Sequence, residues 1–339
     1  MRDFMAGVVF RIISSFADRF QPIDLSQANR ISHASRITHH ASRISKTHHA
    51  SLNFMEIINR IPRMISIARE IRADKRRIGF VPTMGALHEG HLSLMTRARE
   101  MCDTVIASIF VNPAQFGPAE DFEKYPRDLA RDAELAFTKG VDFIFAPTAE
   151  YMYPKGFSTY ITVEGLTDKL EGASRSGHFR GVTTVVAKLL NIVNPNFAFF
   201  GRKDAQQAIV IKRMVADLAM GVEIVVVPTV REEDGLALSS RNAYLSSGER
   251  KAATVLSRAL DRCRALYNGG ERDSAKLLSS MRSIIEAEPL ARLDYLAITD
   301  TTHLDEVETI PADKPTLISL AVFIGNTRLI DNIVLNGEL

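Results

Sequence analysis

The spacing of apolar residues divides the chain into a long patterned part, which begins at residue 55, and a preceding segment without a pattern. Short apolar runs predict strands, and apolar residues that recur every three or four positions predict helices. Strands and helices alternate as far as residue 230, which is typical of an α/β fold with a doubly wound parallel sheet. The predicted strands cover residues 78–82, 104–111, 141–146, 197–200 and 223–228, and the predicted helices cover 57–71, 91–98, 128–139, 183–194 and 205–220.

After residue 230 the order of the predicted elements changes. Ser246 and Glu249 have the spacing of a capping box, and the helix that they open ends at Gly269-Gly270. A second helix over 275–286 precedes strand-like runs at 293–298, 316–324 and 328–334. We therefore expect the doubly wound sheet to occupy residues 55–230 and a second, smaller α+β domain to occupy residues 231–339.

Residues 1–54 form the segment without a pattern. They hold near-repeats of His-Ala-Ser-Arg-Ile and five of the nine histidines, and they offer little to bury. This composition favours disorder, with metal binding by the histidines and a transit peptide as alternatives. We expect the working protein to begin at Met55, so that deletion of residues 1–54 leaves its turnover unchanged.

Composition and charge exclude several classes of protein. Apolar residues make up 46% of the chain and charged residues 24%, as in ordinary globular proteins, and no apolar run is long enough for a transmembrane helix. The formal charge of +2 includes seven Lys/Arg against three Asp/Glu in residues 1–54, which leaves −2 for the rest and indicates no nucleic-acid surface. Cys102 and Cys263 fall among apolar residues, which favours buried thiols in a reducing compartment and hence a cytoplasmic protein.

The pattern His-x-Gly-His lies where the strand predicted over 78–82 gives way to a helix. Gly85 permits a tight turn there, and the helix N-terminus offers unpaired N–H groups and a partial positive charge to an anion. His88 and His91 should face the same side of the first turn, and Gly90 lets a nucleotide approach the backbone. A single histidine would be interpreted as solvated or capping, but two around a glycine at such a junction predict a nucleotide site.

Two further segments follow predicted strands. The carboxamides of Asn112 and Gln115 suit a small polyhydroxy acid, although side chains of this kind also stabilise loops. Lys203 is placed to neutralise a phosphate, unless it is an ordinary solvated charge. Asp204 would cap the following helix, and Gln207, one turn later, would point back into the cleft.

A loop near the predicted domain junction carries Ser239, Ser240 and Arg241. Two hydroxyls and a guanidinium suit a triphosphate, and the position of the loop would let it close over a cleft. A pair of serines that caps a helix is the competing explanation.

Together these blocks resemble the pantothenate synthetase family, also called pantoate–beta-alanine ligases. The resemblance runs from about residue 55 to the C-terminus, and its most specific blocks are residues 82–91, 110–116, 177–182, 201–207 and 238–242. It implies a Rossmann-like domain of the HxGH nucleotidyltransferase group, a smaller C-terminal lid domain and a homodimer. It also implies a reaction on the route to coenzyme A, in which ATP and pantoate form pantoyl adenylate and pyrophosphate, and beta-alanine then displaces AMP to give pantothenate.

The resemblance also assigns residues to roles. Gln115 and Gln207, assisted by Asn112, are implied to hold pantoate, and Mg²⁺ is implied to be bound mainly through the triphosphate of ATP. The residues implied to act in catalysis are His88, His91, Lys203 and Arg241. Those implied to form the ATP site are Met84, Gly85, Ala86, Leu87, His88, Glu89, Gly90, His91, Gly201, Arg202, Lys203, Asp204, Val230, Leu238, Ser239, Ser240 and Arg241.

Some features leave alternatives open. Arg202 stands where the family usually has Glu or Gln, and His178 and Arg180 match the family without an assigned role. No side chain stands out as a general base for beta-alanine. The nearest alternative function is another HxGH-type nucleotidyltransferase that acts on a small acid or a phosphate, and AMP release that depends on beta-alanine would distinguish the two. A non-catalytic nucleotide-binding protein is a further alternative, whereas an aminoacyl-tRNA synthetase would lack room for an anticodon-binding domain.

Overall fold

The computed structural model describes residues 55–118, 120 and 122–339. The expectations for the histidine-rich near-repeats and the rest of residues 1–54 lie outside the described residues. No helix in the described part is long and apolar enough to cross a bilayer.

Residues 55–230, called the first half below, contain a six-stranded sheet, of which the alternating pattern predicted every strand except the first, Glu56–Ile58. Its strands are β1 (Glu56–Ile58), β2 (Ile78–Thr83), β3 (Thr104–Ile109), β4 (Phe143–Phe145), β5 (Phe197–Gly201) and β6 (Glu223–Val227). Their order across the sheet is β1-β4-β3-β2-β5-β6, and the pairs from β4 to β6 are parallel. Residues 78–81 and 104–108 are buried without alternation, because helices cover both faces of such a sheet.

The helices of this half are close to those predicted, with three differences. They are α1 (Ile61–Ala73), α2 (Glu89–Met101), α3 (Leu129–Thr138), α4 (Ala149–Met152), α5 (Glu171–Ser174), α6 (His178–Val193) and α7 (Ala205–Asp217). The assignment of Ile57 to the first helix was wrong, since Ile57 lies in β1 and a proline in the first turn of α1 favours a later start. Helix α6 begins at His178 rather than near residue 183, following Gly177 in the left-handed conformation (φ 81°). The four-residue helices α4 and α5 were not predicted, because one turn shows no periodicity.

The chain reverses direction across the sheet between β2 and β5. From β2 it builds outward through β3 to β4, and it then returns to place β5 on the other side of β2. Ligands of doubly wound sheets bind in the crevice at such a switch point, beyond the carboxyl ends of the strands. The segments after β2 and β5, which carry the His-x-Gly-His pattern and Lys203, therefore flank this crevice.

Residues 231–339, called the second half below, form an antiparallel sheet with helices, in agreement with the predicted α+β domain. Its elements are α8 (Ser247–Ala252), α9 (Val255–Asn268), α10 (Ser274–Glu286), β7 (Ala291–Asp300), β8 (Thr316–Ile324) and β9 (Thr327–Leu335), and the strands pair in the order β7-β8-β9. The reciprocal bonds of the Ser246–Glu249 capping box are present. The prediction of one continuous helix from this box to Gly269 was wrong. A bond from Thr254 N–H to the Lys251 carbonyl, three residues back, tightens the end of α8 and separates it from α9.

Each half is centred on a hydrophobic core, and Leu304 and Leu317 of the second half pack into the first of the two cores. Phe80, Ile106 and Val193 belong to the first, and Leu256, Leu260 and Cys263 belong to the second. Both cysteines are buried free thiols, as expected. The two halves are also joined by charge. Arg328 of β9 donates two hydrogen bonds to the carboxylate of Glu171 at the start of α5, at 2.7 and 2.9 Å.

Candidate active site at the sheet switch point

The turn after β2 adopts a conformation that most side chains avoid. Gly85 has φ +83° and Ala86 has φ +50°, a region that costs an L-residue roughly 1–2 kcal/mol. The buried carboxylate of Asp132 in α3 stabilises this turn by accepting the N–H groups of Ala86 and Leu87, each at 2.8 Å. A Cβ at position 85 would lie 2.8 Å from Oδ2 of Asp132, so glycine is needed both for the turn and for this contact.

His88 and His91 share the first turn of α2, as predicted. Each ring accepts a hydrogen bond from a backbone N–H group of this turn. Nδ1 of His88 accepts the N–H of Gly90 at 3.1 Å, and Nδ1 of His91 accepts the N–H of His88 at 3.4 Å. The ring centroids are 4.2 Å apart. Because both Nδ1 atoms accept, the proton of each neutral ring is on Nε2, which leaves two N–H donors on this face.

Both imidazoles are neutral at pH 7. Burial, together with the charge of Lys203, lowers the pKa of His88 to about 4. Burial and the neighbouring His88 lower the pKa of His91 to about 3. The pair therefore offers hydrogen-bond donors rather than cations to an incoming phosphate.

Gly90 has a different local role from the one expected. A Cβ there would lie 2.8 Å from Cε1 and 2.9 Å from Nδ1 of His88. The missing side chain thus gives the His88 ring room to fold back over the helix start and cap it. The expected approach of a nucleotide to the Gly90 backbone stays a prediction.

The segment after β5 is a 3-10 turn, Arg202–Asp204, that leads into α7. The Lys203 ammonium is 3.8 Å from the Asp204 carboxylate, and the Lys203 side chain is 20% exposed. Asp204 takes the N-cap position of α7, but its side chain makes no cap hydrogen bond, so the expected cap was wrong. Its carboxylate points toward the lysine instead.

The second half of the chain holds this turn in place. The carboxamide of Asn332 in β9 donates to the carbonyl oxygens of Arg202 and Lys203, at 2.9 and 2.8 Å. Asn332 is 4% exposed. Two consecutive carbonyls are thus tied to the antiparallel sheet, which fixes the backbone from which the Lys203 side chain extends.

A cavity of about 650 Å³ opens beside this turn, lined by residues of both halves. It brings together five of the predicted site residues, Lys203, Asp204, Gln207, Ser239 and Arg241. His88 and His91 are not among its lining residues, but the charges of Lys203 and Asp204 act on both rings, so the two groups are neighbours. Glu89 and Val230 lie instead on a separate shallow depression along α2.

The predicted loop over residues 238–242 is anchored by short-range contacts. Leu238 N–H donates to the Val230 carbonyl at 3.0 Å, and Oγ of Ser239 accepts the N–H of Arg241 at 3.3 Å, capping the 3-10 turn Ser240–Tyr244. The capping explanation is therefore correct for Ser239. Capping leaves the cavity-facing position of Ser239 and Arg241 intact, so the nucleotide role remains open to both.

The carboxamides after β3 bind one another. Nδ2 of Asn112 donates to Oε1 of Gln115 at 3.0 Å and to the Gly181 carbonyl at 3.1 Å. Oδ1 of Asn112 accepts the Tyr153 hydroxyl at 2.7 Å and the Ala114 N–H at 3.3 Å. Asn112 therefore stabilises the loop, which was the alternative explanation. Its side chain is 1% exposed and uses all its hydrogen-bonding positions. Its contact with pantoate stays a prediction.

The start of α6 gives His178 and Arg180 contacts that the sequence did not reveal. Nδ1 of His178 lies 2.8 Å from the Gln115 carbonyl, and its Nε2 lies 3.1 Å from the Arg175 guanidinium. Arg175 in turn donates two 2.7 Å bonds to Glu120. Burial and the Arg175 charge lower the pKa of His178 to about 4, so it is a neutral Nδ1–H donor that anchors the loop of Gln115. Arg180 stacks on the Tyr160 ring at 3.6 Å.

Sequence reasoning missed Asp132 and Asn332. Nothing near Asp132 in the chain marks it, because its partners lie more than forty residues away. For Asn332 there was a signal, since Asp331 and Asn332 interrupt the apolar run over residues 329–335 and are both buried. Buried polar residues require partners, and those of Asp331 and Asn332 include Arg231 and the Lys203 turn.

Comparison with known proteins places this geometry among ligases. Residues 56–334 match the model of the family described as pantoate-beta-alanine ligase. The pantothenate synthetase of Pelotomaculum thermopropionicum is 58% identical over 285 residues, which covers 84% of this chain and 100% of that protein. The crystal structure of pantothenate synthetase from Thermus thermophilus superposes with a TM-score of 0.77 at 48% identity, covering 82% of this chain and 99% of that one. A pantoate-beta-alanine ligase from Francisella tularensis, complexed with beta-gamma ATP and beta-alanine, gives 0.68 at 37% identity over 83% of this chain and 97% of that one.

Proposed function

Because this chain belongs to the pantoate-beta-alanine ligase family, we propose that it joins pantoate to beta-alanine at the expense of ATP, through a pantoyl-adenylate intermediate, in the crevice between β2 and β5. The observation that carries the assignment of residues is the meeting of the His88–His91 pair and Lys203 at this switch point. Neutral donors and a cation at the ends of neighbouring parallel strands suit a polyphosphate.

The first step transfers adenylate to pantoate. A carboxylate oxygen of pantoate attacks the α-phosphorus, the bond from that phosphorus to the bridging oxygen breaks, and pyrophosphate leaves with the electron pair. Negative charge grows on the phosphoryl oxygens, so preorganised donors contribute most. We assign this role to Lys203, Arg241 and the Nε2–H groups of His88 and His91. The remaining predicted ATP-site residues would hold the nucleotide around them.

Pantoate would lie against the carboxamides of Gln115 and Gln207. Gln207 lines the cavity, and Gln115 presents its Nε2 end 3.0 Å from the sulfur of Met84, on the β2 side of the crevice. Asn112 acts on pantoate through Gln115 in this conformation, because Nδ2 of Asn112 holds Oε1 of Gln115. Carboxamides suit both the hydroxyls and the carboxylate of this acid.

Mg²⁺ would enter with ATP as part of the substrate. Among the described residues, Asp300, His303 and Asp305 form a group that could hold a metal ion. This group does not line the cavity. Near Lys203, Asp204 supplies one carboxylate. One carboxylate with phosphate oxygens and water matches the usual coordination of Mg²⁺ in nucleotide sites.

In the second step, the free amine of beta-alanine attacks the acyl carbon of the adenylate, the bond from that carbon to the phosphate oxygen breaks, AMP leaves with the electron pair, and the nitrogen releases a proton to solvent. The mixed anhydride is already activated, so orientation matters more than acid–base catalysis. Residues 231–339 would act as the lid over residues 55–230. The enzyme would work in the cytoplasm as a homodimer, as its family resemblance implies.

The test of this function is the dependence of product formation on each substrate. We expect AMP and pyrophosphate to form continuously from MgATP only when pantoate and beta-alanine are both present. Pantoate alone should release at most one pyrophosphate per site, as the adenylate accumulates. Sustained pyrophosphate release without AMP would indicate a nucleotidyltransferase that keeps the nucleotide on its product, and no pyrophosphate in any mixture would contradict the proposal.

A further inference from the structure

Tyr153 connects a separate part of the fold to the predicted pantoate site. It follows the short helix α4, between β4 and α5, and its side chain is half-buried. Its hydroxyl donates a 2.7 Å hydrogen bond to Oδ1 of Asn112, 41 residues earlier in the chain. No sequence motif singled out Tyr153, and the mechanism proposed above does not use it.

The bond from Tyr153 determines which way the Asn112 carboxamide faces. A carboxamide has one oxygen that accepts and one nitrogen that donates, so a donor on one end fixes the other. With Oδ1 held by the Tyr153 hydroxyl and by Ala114 N–H, Nδ2 is directed to Oε1 of Gln115 and to the Gly181 carbonyl. These four contacts use every hydrogen-bonding position of a buried carboxamide, where an unsatisfied group is costly.

The same logic carries one residue further. Since Oε1 of Gln115 accepts from Asn112, the donating Nε2 of Gln115 is turned outward, where it lies 3.0 Å from the Met84 sulfur. Met84 precedes the strained Gly85–Ala86 turn at the nucleotide side of the crevice. A thioether is a weak acceptor, so this N–H group is readily given up to a stronger acceptor such as a carboxylate or hydroxyl.

The ring of Tyr153 is held rigidly enough for its hydroxyl to set this direction. The ring of Phe157 meets it edge-on with centroids 5.0 Å apart, and the Lys188 ammonium lies 5.9 Å from its centroid. Lys188 also donates to the carbonyl of Met152, the preceding residue. Burial raises the pKa of Tyr153 to about 12, so the hydroxyl remains a donor throughout the physiological range.

We propose that Tyr153 is a positioning residue for pantoate, which acts through Asn112 to present the Nε2–H donors of Gln115 to the acid. The inference rests on the proposed function, because it assigns Gln115 to pantoate. It adds a residue that the proposed function does not place against either substrate, and it predicts that the Tyr153 hydroxyl affects the binding of the acid rather than that of the nucleotide. A role in folding alone would affect both substrates alike.

The variant Tyr153→Phe removes one oxygen and keeps the ring that Phe157 and Lys188 contact. We expect the KM for pantoate to rise about tenfold, as for one lost hydrogen bond in a buried network, while the KM for ATP changes by less than about twofold. The ratio of the pantoate KM values should be constant from about pH 6 to about pH 9, since the tyrosine does not ionise there. Tyr151→Phe, which removes an exposed hydroxyl two residues away, is the matched control and should leave both KM values unchanged.

A double variant separates positioning from general damage. In a Gln115→Ala background, Tyr153→Phe should have little further effect on the pantoate KM, because the group that it positions is already gone. Equal rises in the KM values for ATP and pantoate, or full additivity with Gln115→Ala, would overturn the inference. Failure of the proposed function would look different, because the wild-type protein itself would then form no AMP with pantoate and beta-alanine.

Discussion

The two turns that flank the crevice are held by different parts of the molecule. The turn after β2 is stabilised from within the parallel-sheet half, where Asp132 of α3 accepts two of its N–H groups. The turn after β5 is tied to the antiparallel sheet, where Asn332 of β9 donates to two of its carbonyls. The turn after β2 is therefore stabilised within the first half of the chain alone, whereas the turn after β5 requires the second half to be docked.

The two turns also differ in what they offer a phosphate. The β2 turn supplies a pair of neutral imidazoles whose pKa values, about 4 and about 3, are held low by burial. The β5 turn supplies the ammonium of Lys203. The positive charge that these two turns offer thus comes from the turn after β5, which contacts both halves. This arrangement makes the cation most effective when the C-terminal half is in place.

The largest effect should come from the cation itself. Lys203→Ala should lower kcat for AMP formation on the order of a hundredfold or more, if Lys203 contacts the transition state. Lys251→Ala, an exposed lysine at the end of α8, is the control and should behave as wild type. A Lys203→Ala rate within about threefold of wild type would refute its role.

A smaller effect should follow when the tie from the second half is cut. Asn332→Asp replaces the donor to two carbonyls with an acceptor, and about 2 kcal/mol of lost and repulsive contacts corresponds to roughly a thirtyfold loss in kcat/KM for ATP. Asn336→Asp is matched to it, since Asn336 also donates to a backbone carbonyl of this half, that of Pro311, but does not touch the Lys203 turn. If both variants lost the same activity, the difference between the two turns would have no functional meaning.

The β2 turn should respond to the loss of a single acceptor. Asp132→Asn leaves one oxygen for two N–H groups, so we expect about a tenfold loss in kcat/KM for ATP, together with a lower Tm. Asp128→Asn on the same helix is the control, because asparagine caps a helix as well as aspartate and Asp128 is the N-cap of α3. An unchanged rate for Asp132→Asn would show that the strained turn does not need its carboxylate.

The last prediction concerns pH and stability, with no change of rate at pH 7. The folded chain keeps His88, His91 and His178 neutral down to about pH 4, about pH 3 and about pH 4, whereas in the unfolded chain each takes up a proton near its ordinary pKa of 6.5. Unfolding therefore binds protons, and stability falls as the pH drops below about 6.5. We expect Tm to be about 10 °C lower at pH 5 than at pH 7. In His91→Asn the decline should be shallower, and an identical slope would contradict the depressed pKa.

The local pattern of apolar residues was sufficient to predict most of the strands and helices. The strand over 78–82 and the helices over 128–139 and 205–220 were each found within a few residues, because burial on one or both faces imposes its own period. Predictions were wrong where a local feature overrode the helical period of apolar residues. Ile57, for example, lies in an edge strand, and the helix after it has a proline in its first turn. The site motifs were also legible, since a strand followed by glycines and a helix predicts an anion site.

The sequence by itself thus determined the order of the longer elements, the two histidines on one face of a helix start and the family of the chain. Only the tertiary structure decided which groups hold these motifs in position. The bonds of Asp132 to the β2 turn, Asn332 to the β5 turn and Tyr153 to Asn112 each join residues more than forty positions apart. Such pairs leave no local period, because their partners are chosen by how the sheets and helices pack and by the need to satisfy buried polar groups.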